Sequence, residues 1–208
     1  MKKVKLLLVS LATVTALAAC GQDTKDVAIK QAAAKQEQPK QSEEKAQEQP
    51  VSKLGSRTNP IPFQQTAAVE DEVYNDAGEA FPITFDLTME DVIRGDAAFQ
   101  KLKSMNEFNE PAPDGYEWVL VKAKVKFTES KTQDLAFSID GIMNFKMVSE
   151  SGDIYSGDSF ATTNPEFSFE MYVGNEKEGY IAGLVKTGEK AQLRYGEFMD
   201  GQVFFNLQ

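Results

Sequence analysis

Cys20 is the only cysteine in this 208-residue chain, and it closes an apolar run near the start. That position constrains the fold before anything else is read. A single thiol makes no intramolecular disulfide, so any folded part must stand on a hydrophobic core, even in an oxidising compartment. The run itself is an address. Lys2, Lys3 and Lys5 open the chain, and Leu6 to Ala19 is an almost unbroken apolar stretch of 14 residues. A basic start, a short apolar core and small residues before a cut site define a secretory signal. A helix that short does not cross a bilayer comfortably, which takes about 20 residues.

A plain signal peptide needs no cysteine after its small residues. Here Leu17-Ala18-Ala19 leads directly into Cys20 and Gly21. The pattern resembles the lipobox of bacterial lipoproteins, which implies a signal peptide over residues 1–19 and a diacylglycerol thioether on Cys20. Each buried methylene contributes roughly 0.8 kcal/mol, so two or more acyl chains anchor stably. The expected location is the outer face of a Gram-positive cytoplasmic membrane, with the membrane as partner through the lipid on Cys20.

Composition changes abruptly after the signal. From Gly21 to Arg57, Gln, Lys, Glu and Ala dominate, aromatics are absent, and seven basic residues nearly balance six acidic ones. Lys25, Lys30, Lys35, Lys40 and Lys45 recur every five residues, a spacing that lines neither a helix face nor a strand face. Such a segment buries too little apolar surface to offset its ordering entropy. It reads as a disordered tether over residues 20–57, whose coil would separate its ends by roughly 30–35 Å and whose full extension would reach about 115 Å.

The remaining 151 residues, 58–208, suffice for one domain with its own core. They carry 12 basic and 26 acidic residues, so all the acidity sits in this head. An acidic head disfavours nucleic acid, which wants a basic groove.

The head reads mostly as strands. Val119, Val121, Ala123, Val125 and Phe127 alternate with Lys122, Lys124 and Lys126, which predicts a half-buried strand over Tyr116 to Thr128. Trp118 and Leu120 fall on the lysine side, so that end needs a second cover. A helix over about Asp96 to Asn109, with Asp96 as a candidate cap and Phe99, Leu102, Met105 and Phe108 as candidates for one stripe, supplies it. Further strands are predicted over Thr66 to Val73, Ile83 to Ile93, Ile142 to Val148, Glu166 to Tyr172, Tyr180 to Lys186, Ala191 to Tyr195 and Gln202 to Leu207. Turn clusters separate them, for example Ser149-Glu150-Ser151-Gly152-Asp153. Short strands with regular turns argue for a mostly β antiparallel sandwich.

Several phrases fit one family in order and spacing. Arg57-Thr58-Asn59-Pro60 opens the head. Arg94-Gly95-Asp96-Ala97-Ala98 leads to Asn106-Glu107-Phe108-Asn109-Glu110-Pro111, then Gly115 to Lys122, then Glu178 to Val185. Together they resemble the uncharacterised Gram-positive lipoproteins that carry a telokin-like, immunoprotective-extracellular-type domain. The resemblance implies an Ig-like β-sandwich, and it brings no catalytic residues to carry over. The Lys186-Thr187-Gly188-Glu189-Lys190 turn departs from the family's usual late segment.

The inventory of chemistry is narrow. Histidine is absent from the chain, which removes His-based triads and most zinc sites. No glycine pattern fits a phosphate loop. Glu70-Asp71-Glu72 and Glu90-Asp91 are the carboxylate clusters, but neighbours on a strand point to opposite faces and make no dyad for glycoside hydrolysis. Asp153 and Asp158 sit in turns without calcium-loop spacing. Lys122, Lys124 and Lys126 form a basic stripe that could dock an anionic polymer or an acidic protein patch; alternatively they are a solvated face, or blunt an edge strand. The expectation is a lipid-anchored cell-surface binding module without catalytic activity or cofactor, whose partner is a protein or envelope polymer. An envelope-protective or immunity-type lipoprotein is the alternative, and a carboxylate-dependent hydrolase the third class.

Overall fold

The computed structural model describes residues 25, 27–29, 52–155, 160–196 and 201–208. Among these the strands are β1 Val27–Ile29, β2 Thr66–Tyr74, β3 Ala80–Arg94, β4 Tyr116–Ser130, β5 Phe137–Asp140, β6 Phe145–Ser149, β7 Ile154–Tyr155, β8 Ser168–Met171, β9 Glu176–Lys186, β10 Ala191–Tyr195 and β11 Val203–Asn206. One helix, α1 Gly95–Met105, lies between β3 and β4; Arg94 rather than Asp96 stands at its N-cap, and it ends before Phe108, which is exposed. The molecule is mostly β, with antiparallel sheets and one short helix, as its alternation predicts. One sheet runs β1-β2-β3-β4-β9, a second runs β11-β10-β6-β7, and β5 pairs with β8.

Strand β4 is central because its two faces are both usable. Val119, Val121, Ala123, Val125 and Phe127 face the main core, where each is 1 % exposed or less. Across from them, β10 and β11 contribute Leu193, Tyr195, Val203 and Phe205. Phe85 of β3 stacks on Phe137 at 4.7 Å between ring centroids and meets Tyr195 edge-on at 5.4 Å. Each such fully buried side chain contributes about 1.5–3 kcal/mol. On the other face, Trp118 and Leu120 are buried against Ala98 and Leu102 of α1, with Phe99 and Met105 around them. The helix covers the end of the strand that breaks the polar alternation, as predicted. The Trp118 indole N–H donates to the Glu110 carbonyl at 3.0 Å, so the buried ring leaves no orphaned donor.

Three differences have identifiable physical causes. The strand expected from Ile142 starts at Phe145, because Asp140 folds the preceding residues into a turn. Its Oδ1 accepts the backbone N–H groups of Ile142 and Met143 at 2.8 and 2.9 Å. β5 and β7 are strands that alternation did not mark; β7, with two residues, carries no period to read. The third difference concerns the tether. Lys25 is buried and Val27–Ile29 pairs with Val69–Ala67 of β2, so this part of the 20–57 stretch is docked on the head. Residues 52–57 are folded as well: the Gly55 carbonyl accepts the Phe204 N–H at 2.8 Å, and Ser56 bridges Asn59. Ile61 then runs beside Phe205, and Phe204, on the opposite face, is covered within the chain. Composition missed these contacts because the partners that make them worthwhile are distant in sequence.

Candidate functional site

The lysine stripe comes first, since alternation singled it out. β4 lies between β3 and β9 and is not an edge strand, which removes the edge-blunting role. Its neighbours supply acids. Lys122 faces Asp91 on one side and Tyr180 on the other; Lys124 lies opposite Glu178, and Lys126 lies between Asp86 and Glu176. Glu90 is the extra residue at a register shift between Met89 and Asp91, and such a bulge re-aims a side chain. Its carboxylate reaches Lys122 at 2.8 Å and Lys124 at 3.3 Å, while Glu178 reaches Lys122 at 2.7 Å. Burial pushes the Glu90 carboxyl up, but the hydrogen bonds and charges of Lys122 and Lys124 outweigh it and hold the group below its ordinary value. The Lys122 ammonium is held above its ordinary value, by hydrogen bonds to Glu178 and Glu90. The structure therefore makes this face charge-balanced rather than basic.

A second place was not singled out. An open cleft of about 1120 Å³ lies at the β2–β3 hairpin end, with Ile83, Ser130, Phe137 and Asn144 among its walls. At its base stands Asp71. In β2 the residues Ala67, Val69 and Val73 are buried, and Asp71 shares their phase, whereas Glu70 and Glu72 are exposed on the other side. The cluster is thus split between two faces, as strand geometry requires. Asp71 Oδ1 meets Lys25 Nζ at 2.8 Å, and Asp71 Oδ2 accepts the Tyr195 hydroxyl at 2.7 Å. The Lys25 ammonium also lies 5.8 Å from the centroid of the Tyr195 ring, within reach of a cation–π attraction. With both oxygens engaged, Asp71 serves as a receptor for a cation. The signal for it was in the sequence: Ala67-x-Val69-x-Asp71-x-Val73 sets an acid on the apolar phase.

The other end of the sandwich is tied by polar contacts. Arg94 pairs with Glu117 at 2.8 Å and donates to the Glu189 carbonyl at 2.6 Å. The Tyr155 hydroxyl donates to the Glu189 carboxylate; burial first, and that carboxylate second, hold the phenol above its ordinary value. The Lys186–Lys190 turn is clamped by these bonds. Over the outer face near α1, Asn109 joins two loops: its Nδ2 donates to the Thr162 carbonyl and its Oδ1 accepts the Thr162 N–H, both at 2.8 Å. Phe108 and Phe160, on those two loops, are 81 % and 69 % exposed.

Asp153 pairs with Lys186 at 3.2 Å, while Asp158 and Cys20 lie outside the described residues. Among the described residues no group of three or more acids is arranged to hold a metal ion, and no helix is long and apolar enough to cross a membrane.

No family model matches the chain, and no curated protein does. A solved structure described as a "putative lipoprotein (ycdA)" from Bacillus subtilis subsp. subtilis str. 168 is similar at 17 % identity and a TM-score of 0.38. The match covers 65 % of this chain and 38 % of that one, so this chain spans well under half of its neighbour. A telokin-like domain is named in none of these matches.

Proposed function

We propose that this chain is a lipid-anchored binding module of the cell surface, held through Cys20 at the extracellular face and without catalytic activity of its own. The Leu17-Ala18-Ala19-Cys20 signal supports the anchor. The observation that carries the binding role is the pair of exposed phenylalanines, Phe108 and Phe160, on loops that Asn109 and Thr162 lock together. Exposed aromatic rings on two loops joined by hydrogen bonds suit a protein partner, because aromatic anchors dominate such interfaces. Two of the clustered acids are engaged within the fold: Asp71 holds Lys25 and Tyr195, and Glu90 holds two lysines.

The test places a photo-crosslinking side chain at 108 and, separately, at 160 in cells carrying the full-length protein. A discrete protein adduct at both positions is expected. Adducts to polymer alone, or none at either position, would overturn the assignment of this surface. Cys20→Ala tests the anchor: the variant should leave the membrane fraction or remain uncleaved, and unchanged lipid labelling would refute lipidation at that residue.

A further inference from the structure

The stretch expected to be a spacer is interrupted five residues after Cys20. Lys25 and Val27–Ile29 are fastened to the head, and the head is shaped for them. Asp71 and Tyr195 take the lysine ammonium, as described above. Two glycines leave the necessary space: a Cβ on Gly201 would stand 2.9 Å from Lys25 Cγ, and one on Gly55 would stand 2.7 Å from Val27 Cγ2. The edge of β2 supplies the ladder groups, which otherwise template pairing with another chain.

We infer that Lys25 and the strand Val27–Ile29 form a strap, seated in a dedicated site on the β2 edge, which holds the head close to the anchor and turns the β2–β3 hairpin end toward the membrane. This rests on the proposed lipidation of Cys20. Five residues span at most about 18 Å, against about 115 Å for the whole stretch at full extension. With the strap seated, residues 30–51 begin and end on the head and add nothing to its reach. The direction follows from register. β1 runs antiparallel to β2, with Val27 beside Val69 and Lys25 level with Asp71, so the chain leads back to Cys20 at the Tyr74–Ala80 end. Arg94 and Tyr116 lie at the other end of β3 and β4, strands of 15 residues each, about 45–50 Å away. Helix α1 packs on the Trp118 half of β4, which sets the Phe108 loop on the outward half. A second copy could offer the same strand to the site. A link within one chain holds its own strand at roughly millimolar effective concentration, which favours the chain's own.

Two measurements on the full-length protein in cells test this. In the first, Ala28→Cys and Ala68→Cys, which face each other in register, should form a disulfide within one chain. A disulfide-linked dimer, or two free thiols, would overturn the strap. In the second, a single dye is attached at Asp76→Cys or at Asp114→Cys, and energy transfer to a dye in the membrane is read. Asp76 should transfer several-fold more than Asp114. Lys25→Glu should abolish the difference, and Lys25→Glu with Asp71→Lys should restore part of it. Equal transfer from both positions in the otherwise unaltered protein, or no response to Lys25→Glu, would refute the orientation. Wild-type protein found in the medium would overturn the anchor, and the orientation with it, while the disulfide would still report the strap.

Discussion

Two lysine–carboxylate sites in this protein use the same chemistry to different ends. On the outer face, Lys122 bonds Glu90 and Glu178 with its side chain one-third exposed. At the hairpin end, Lys25 bonds Asp71 with side-chain exposures of 7 % and 19 %. Water screens the first site, and such pairs are worth about 0–1 kcal/mol each. The second is more deeply seated at the base of its cleft, and leaving one partner uncompensated there costs more. The contrast teaches that position, and not the pair of residue types, decides whether a charge pair is surface texture or a structural joint.

The largest effect should come from an inward acid with no receptor. Val121→Asp sets a carboxylate on the same inner face as Asp71, but without a Lys25 or a Tyr195 to meet it. A loss above about 4 kcal/mol, or outright unfolding, is expected from calorimetry or denaturant titration. Unaltered melting would show that the inner face tolerates acids generally, and that the Lys25 site is nothing special.

Asp71→Ala comes next. It removes the acceptor that the Tyr195 hydroxyl bonds and the counter-charge of Lys25. Lys25 can leave for solvent by undocking β1, so the cost is bounded by the docking of the strap. About 1–3 kcal/mol is expected, with faster amide exchange along Val69 and Ala67 as the signature. A loss confined to melting, with exchange at those amides unchanged, would place Asp71 outside the joint.

Glu90→Gln should cost under about 1 kcal/mol, and most of that should vanish in high salt. Its pH dependence has a definite sign. The folded Glu90 carboxyl titrates below its ordinary value, so its contribution is present above the ordinary carboxylate range and is lost as pH falls through the folded value. The variant should therefore show a slightly flatter acid limb than the wild type. A steeper limb would contradict the pairing with Lys122 and Lys124.

The smallest effect lies at the alkaline end. Tyr155 is held above its ordinary value by burial and by Glu189. Its protonated form therefore favours the fold below the ordinary phenol range, and that contribution is lost as pH rises through the folded value. Tyr155→Phe should remove this part of the alkaline limb. An identical alkaline profile would mean that the phenol bonds Glu189 no better in the folded chain than in the unfolded one.

Much of the fold was legible where one face of one element carries the whole signal. β4 was readable because five apolar residues alternate with three lysines. Its switch at Trp118 and Leu120 was readable too, because two large apolar side chains on a polar face demand a cover, and the 96–109 stripe could provide one. The helix ends at Met105, with the N–H of Asn106 donating to the Leu102 carbonyl at 3.0 Å. The candidate sites were less legible. The lysine stripe was visible as a stripe, but its neutralisation depends on a bulge at Glu90 and on the register of β9. Neither is a property of β4. Asp71 was visible as one of three acids, and its phase along β2 marked it as the inward one, yet nothing local marks Lys25 as its partner.

The sequence by itself determined the absence of disulfides and histidine chemistry, the acidic head, and the alternation that makes the molecule a β structure with one covering helix. These are local quantities, set by residue type and by a period of two or 3.6. Tertiary structure alone decided which charges meet, that a lysine-led strand from a polar stretch returns to the β2 edge, and which end of the sandwich receives it. A three-residue strand has too little surface to declare itself. Its stability comes from a preformed edge, an inward carboxylate and a tyrosine hydroxyl that the fold gathers from residues 46 and 170 positions along the chain from Lys25.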